Sequence, residues 1–266
     1  MKNIKAILFV LVVAGLFTSA KAQDVSSPAP APPTPNAPPY NVNAPGYLSL
    51  QFGFAQPTNM FASTTGTSYR GYAMPGTALN LSAGVPVSES NFGIALMFGS
   101  NINPFNENKY AANVQQTDEA RSYTATLQDN YLTSNVLVGL FYTIPVNKIS
   151  FDFKALFGVG LCRFPEVGYS AYQYDPTLGT TSAYTWDIAS STSSALAYDL
   201  GVGIRYNIGD YWAIMANADY LYANPKYRTN IQYTDPVGNN SYTNISGNIP
   251  MSQLCFTIGF GYQIGR

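Results

Sequence analysis

The sequence predicts an all-β protein, an eight-stranded antiparallel up-and-down transmembrane β-barrel, and three observations carry that prediction. Large apolar residues recur at every second position in eight separate stretches. Short and long connections alternate between those stretches. Only 10% of the 266 residues are charged, against roughly a quarter in soluble globular chains.

A period of two places successive side chains on opposite faces of a strand. GYLSLQFGF (46–54) opens the series, setting Leu48, Leu50, Phe52 and Phe54 against Ser49, Gln51 and Gly53. LNLSAGVPV (79–87) and FGIALMFGS (92–100) follow, joined by a tight SESN turn. NVLVGLFYT (135–143) and ISFDFKALFGVGL (149–161) are joined by IPVNK, and the second sets six large apolar residues against Asp152, Lys154, Gly158 and Gly160. LAYDLGVGIRYNI (196–208) and YWAIMANADYLY (211–222) meet at a GD turn, and QLCFTIGFGYQI (253–264) closes the chain. Proline cannot donate to a strand ladder. Of the ten prolines after residue 45, nine are expected between strands, and only Pro86 near a strand end.

The links after the first, third, fifth and seventh strands are each expected to exceed about 20 residues, well beyond ordinary loop lengths. An up-and-down meander gathers these four at one end and the short turns at the other, the layout of a transmembrane barrel. Glycines oppose the apolar face where a solvated strand would carry Lys, Glu and Thr, and small residues suit the crowded bore of an eight-stranded barrel. The apolar face is therefore expected to face lipid instead of filling a lipocalin-like soluble barrel. Tyr142, Tyr206, Trp212 and Tyr262 then gather outward near the short-turn end as an aromatic girdle.

Residues 1–22 read as a secretory signal peptide: basic Lys2 and Lys5, an apolar run from Ala6 to Phe17, and Ala20-Lys21-Ala22 as the cleavage site. Removing its three lysines would take the formal net charge from -1 to -4. Residues 23–45 are expected to form a Pro-rich disordered periplasmic linker, and 46–266 the barrel. The localisation that follows is the outer membrane, reached across the inner membrane by a cleaved signal. The charge balance lacks the basic footprint of a nucleic-acid binder.

From Gly46 to Arg266 the chain resembles the small outer-membrane β-barrels of Gram-negative bacteria, and is similar in layout to the transmembrane domain of outer membrane protein A and its eight-stranded relatives. The resemblance implies outer-membrane lipid and the barrel-assembly machinery as partners. Family members commonly end on an aromatic residue, whereas here FTIGFGYQIGR ends on Arg266 with Tyr262 the last aromatic. Enzymes of this kind generally use His, and the chain has none; no catalytic, cofactor-binding or metal-binding residue is expected.

Asp152, Lys154, Asp199, Arg205 and Asp219 fall on the inward face with Gln51, Asn217 and Gln263. Buried charges must be paired and hydrogen-bonded. Asp152 and Arg205 are expected to pair across neighbouring strands, and the surplus acid to be neutral or bonded to Tyr or Thr. The GVG and GFG stretches are read as inward positions too tight for larger side chains. Cys162 and Cys255 lie on non-adjacent strands and are not expected to bridge. The long loops are rich in Tyr, Ser, Thr and Asn, a composition suited to protein or glycan recognition; Tyr69, Tyr72, Tyr172, Tyr174, Tyr233 and Tyr242 are the candidates, and 230–245 is expected to form a hairpin. The function expected is a non-enzymatic barrel with a plugged polar interior, serving envelope structure or surface recognition such as adhesion. A narrow porin-like channel or uptake protein for small solutes or hydrophobic compounds, and an accessory subunit of a larger outer-membrane complex, stay open as alternatives.

Overall fold

The computed structural model describes residues 45–65, 71–88, 90–117, 122–127, 129–175, 177 and 179–264. The signal peptide, all but the last residue of the Pro-rich segment, Tyr69 and Arg266 lie outside them. In chain order the elements are β1 (Gly46–Thr58), α1 (Asn59–Ala62), β2 (Gly76–Pro86), β3 (Phe92–Asn103), α2 (Glu107–Thr117), β4 (Ser122–Leu127), β5 (Tyr131–Val146), β6 (Ile149–Phe164), β7 (Val167–Asp175), β8 (Thr180–Ile188), β9 (Ser191–Ile208), β10 (Trp212–Ala223), β11 (Lys226–Thr234), β12 (Asn240–Asn248) and β13 (Met251–Ile264). All eight stretches with a period of two become barrel strands, in the order β1-β2-β3-β5-β6-β9-β10-β13. The ring closes between β1 and β13, antiparallel from Gly46↔Ile264 to Thr58↔Ser252.

The side chains divide as the alternation requires. Phe52, Leu140, Phe157 and Phe260 point outward and are 60–68% exposed, whereas Gln51, Asn101, Arg205, Asp219 and Gln263 point inward and are at most 2% exposed. A closed sheet leaves no unpaired edge within the wall, so such an exterior suits an apolar solvent. Among the described residues no helix is long and apolar enough to cross a membrane.

Two expectations change. The first long connection, 59–75, has only 17 residues, because β1 and β2 run on past their periodic cores. Pro57 and Pro145 lie inside β1 and β5 instead of between strands. Each sits where only one neighbour pairs: Pro57 faces Gln253 of β13, beyond the last β1–β2 pair at Ala55↔Gly76. Pro145 faces Ser150 of β6, beyond the last β3–β5 pair at Phe92↔Tyr142. A proline is tolerated there because no second ladder needs its missing N–H.

Gly201 and Gly203 are required by their surroundings, since a Cβ would lie 2.1 Å from Asp219 Oδ1 and from Asn217 Oδ1 respectively. Gly160 does not fit the steric reading; its nearest neighbour would be Ala197 Cβ at 3.4 Å, an ordinary contact.

Three of the four long connections build a second sheet of five strands, in the order β12-β11-β8-β7-β4. The hairpin expected at 230–245 is its β11–β12 pair, from Lys226↔Asn248 to Thr234↔Asn240. Asp235 shapes the turn, its Oδ1 accepting the N–H groups of Val237 and Asn239 at 3.0 and 2.8 Å.

Candidate functional site

The inward polar residues expected from the sequence form three groups, with Gln263 apart from them, rather than one network. Nearest the short turns, Arg205 donates from Nε to Asp152 Oδ2 at 3.2 Å and from Nη2 to both carboxylate oxygens at 3.0 and 2.8 Å. The two are diagonal neighbours, since Ser150 faces Arg205 and Asp152 faces Gly203. Thr143 Oγ1 donates to Asp152 Oδ1 at 2.6 Å, and the guanidinium lies 4.6 Å from the Tyr47 ring centroid. Tyr47 in turn meets Phe141 edge to face at 5.7 Å. A desolvated cation over an aromatic face adds to the ion pair.

Higher in the bore, Lys154 Nζ lies 2.9 Å from Asp219 Oδ1 and 4.0 Å from Asp199 Oδ1. The surplus acid thus shares a lysine, while the threonine bonds Asp152, which already has its arginine. The third group is uncharged. Gln51 Oε1 accepts from Asn217 Nδ2 at 2.6 Å and from Thr257 Oγ1 at 2.8 Å, and Gln51 Nε2 donates to Ser49 Oγ at 3.2 Å. Gln263 stands apart from it and donates to Asn207 Oδ1. Tyr47, Thr143 and Asn207 were not singled out from sequence, although each has the inward parity of its strand. Cys162 and Cys255 are buried and free.

At the loop end the bore is stoppered by aromatic residues. Phe61 of α1, 0% exposed, meets Tyr131 edge to face at 5.0 Å. Tyr131 donates from its hydroxyl to Gly71 O at 2.7 Å, and Asn103 Nδ2 donates to Met74 O at 3.0 Å, so the second half of the 59–75 connection is tied to the mouth. Gly71 allows the close approach, since a Cβ there would lie 2.2 Å from Phe61 O. Tyr72 belongs to this stopper, which corrects its assignment to the recognition surface: it is 6% exposed, packs against Phe105 and Tyr110, and accepts a hydrogen bond from Asn113 Nδ2. The connection folds back because its aromatic residues bury more apolar area over the mouth than in water.

The outward aromatics gather at two levels. Trp212, Tyr206 and Tyr262 are exposed near the short turns, with Tyr211 stacked on Tyr262; Tyr142 there is half-buried against Phe92. Tyr198, Tyr220 and Tyr222 form a second level that the sequence reading missed, with Tyr198 stacked on Tyr222 at 5.1 Å. Ten residues of β10 separate Trp212 from Tyr222. At about 3.3 Å per residue and a tilt near 40°, that is roughly 25 Å, the height of the apolar band of outer-membrane barrels.

On the second sheet, Tyr172, Tyr174 and Tyr242 are 47%, 63% and 69% exposed. Tyr233 is half-buried in a row of rings on the other face. Tyr169 stacks on Trp186 at 4.9 Å and 7°, Trp186 meets Tyr233 at 5.1 Å, and Tyr123 and Tyr184 extend the row. Trp186 was overlooked in the sequence, although the alternation of Tyr184 and Trp186 marks one face of a strand. Burial, with Tyr123 adding to it, pushes the Tyr169 hydroxyl up to about 12. Tyr110, beneath the row, is raised as well, mainly by burial. A cleft of about 310 Å3 lies between α2 and β4, lined by Glu107, Asn108, Ala111, Gln115, Tyr123 and Thr124 among others.

Residues 9–263 match the family model described as an outer membrane protein beta-barrel domain. Among solved structures, the chain is similar to a major outer membrane protein from Thermus thermophilus (14% identity, covering 83% of this chain and 98% of that one, TM-score 0.43). It is also similar to Ail, the attachment invasion locus protein of Yersinia pestis (15%, 83% and 100%, TM-score 0.39), and to Neisserial surface protein A (13%, 82% and 97%, TM-score 0.36). No curated protein sequence matches the chain. A closed eight-stranded wall with its apolar face outward, together with a domain match over nearly its whole length, makes this chain a member of the small outer-membrane β-barrel family.

Proposed function

We propose that the protein is a non-enzymatic barrel that keeps a plugged interior and works through its loops, as a structural element of the envelope or a surface-recognition protein for an extracellular protein or glycan. The observation that carries this reading is where order is concentrated outside the wall. Three long connections pool their residues into one five-stranded sheet instead of staying separate. A rigid scaffold of that kind holds exposed side chains such as Tyr172, Tyr174 and Tyr242 in place, which lowers the ordering cost of binding. The interior supports the same reading, because its charges pair with one another, Lys154 serving two acids, and its mouth is filled by Phe61, Tyr131 and Phe105.

The proposed route to this place is export by the signal peptide of residues 1–22, with residues 23–45 as a periplasmic spacer and the barrel-assembly machinery as the partner during insertion. The test combines three readouts on the full chain expressed in a Gram-negative host. Folded protein should show a heat-dependent shift on a gel, external protease should cut the long connections in intact cells, and purified protein in planar bilayers should give no steady openings. Steady conductance would replace this reading with the channel one. N-terminal sequencing of the membrane form should begin at Gln23.

A further inference from the structure

The five-stranded sheet has two edges, and the chain treats them differently. One edge is β4, only six residues long, with α2 laid against it. There Gln115 Oε1 accepts the Tyr123 N–H at 2.9 Å, so a helix side chain occupies a backbone donor of that strand. The other edge is β12, NSYTNISGN, nine residues paired to β11 on one side only. Among the described residues nothing pairs with its far side, and Asn240 to Asn244 are all exposed. Edge strands are normally protected by charge, by proline, by shortness or by a cover, because their free N–H and C=O groups invite another strand. β12 carries no Asp, Glu, Lys, Arg or Pro, and among the described residues no helix packs on it.

We propose that β12 is a self-docking edge: it pairs antiparallel with β12 of a second copy of this chain displayed on a facing membrane. The proposal rests on the reading that places these loops outside the cell. Three features favour a copy over a foreign strand. An uncharged strand meets its own image without the like-charge opposition that would penalise a charged one. With the β4 edge covered, a head-to-tail contact from β12 to β4 is closed, and the isologous β12–β12 contact remains. A two-fold pairing centred on Asn244 sets Tyr242, 69% exposed, opposite the copy's Ser246, a large side chain over a small one. The facing arrangement follows from direction. The β11–β12 hairpin is tied to the barrel mouth at residues 224–225 and 249–250 and turns at 235–239. With its base at the mouth and its turn at the far end, the hairpin of one copy meets that of a copy on an opposed membrane with the β12 strands antiparallel. One nine-residue strand pair is a weak contact, but many pairs between two surfaces act together.

The test uses the full chain in proteoliposomes with the loops outward, and light scattering to follow vesicle clustering. Wild-type vesicles should cluster. N244K vesicles and N244D vesicles should each lose clustering by about tenfold or more, since like charges then meet at the two-fold. Mixing the two populations should restore it, which a merely damaged hairpin would not do. N244C on separate vesicles should form a disulfide with itself. Mixed N244K and N244D vesicles that cluster no better than either alone would overturn the proposal, as would wild-type vesicles that stay dispersed. On whole cells, N244C linked to a different surface protein instead of itself would also overturn it, in favour of a foreign strand. A missing heat shift or protease-resistant loops would instead refute the outward placement on which the proposal rests.

Discussion

The wall of the barrel and the sheet above it are both antiparallel, yet they are packed in opposite senses. Within the wall, polar groups occupy the inside and apolar groups the outside: Arg205, Asp199 and Asp219 are 1% exposed while Leu196 is 84% exposed. In the upper sheet the rings of Tyr169, Trp186 and Tyr233 are drawn together on one face, and Ser170, Thr181 and Gln232 share the other with the exposed Tyr172, Tyr174 and Tyr242. Each region is packed for the solvent around it. Lipid gives the wall no reason to hide apolar side chains, so its specificity rests on hydrogen bonds and ion pairs in the bore. Water gives the sheet every reason to do so, and its cohesion rests on aromatic burial.

The sharpest way to break this contrast is to leave a charge alone in the bore. Arg205→Leu strands Asp152, and the expected loss is about 3–5 kcal/mol. Urea unfolding followed by the heat-dependent gel shift measures it; a variant of undiminished stability would refute the role of the pair. Adding Asp152→Asn should recover part of the loss by removing the lone charge. Phe61→Ala empties the stopper and should cost about 3 kcal/mol locally. It should speed external proteolysis of the 59–75 connection while the wall keeps its heat shift, and equal cleavage rates would mean that the stopper does not hold the connection in place.

Trp186→Ala is expected to loosen the upper sheet by about 1–2 kcal/mol. The near-ultraviolet aromatic signal should fall and the wall's unfolding midpoint should stay put; coupled loss of both would make the two regions one cooperative unit. The smallest effect is that of alkali. The Tyr169 hydroxyl is held at about 12 against its ordinary 10.0, so the folded sheet keeps a proton that the unfolded one releases. Its contribution is full below pH 10 and fades between 10 and 12. The near-ultraviolet signal should decline over that window before the wall unfolds, and a change centred below 10 would argue against the burial of that ring.

The pairing of Asp152 with Arg205 was legible from the sequence because both sit at a similar height above short turns that join or adjoin their strands. The sharing of Lys154 between Asp199 and Asp219 was not, since it depends on how far a flexible side chain reaches across the bore. Tyr72 was misread because loop tyrosines look alike in a sequence. Whether one lies on a surface or in a stopper depends on where a 17-residue connection folds back. Trp186 was missed because nothing local shows that Tyr169 and Tyr233, far along the chain, will stand beside it.

The wall was readable from the chain alone: the number of its strands, the face each turns outward and the alternation of short turns with long connections. These follow from a period of two and from proline's missing donor, which act within a few residues. The division of the bore into separate polar groups, the closing of its mouth by Phe61, and the pooling of three loops into one sheet with a covered edge at β4 and an open one at β12 arise only in three dimensions. Those arrangements depend on cross-strand register and on contacts between segments far apart in the chain, where no local pattern carries the information.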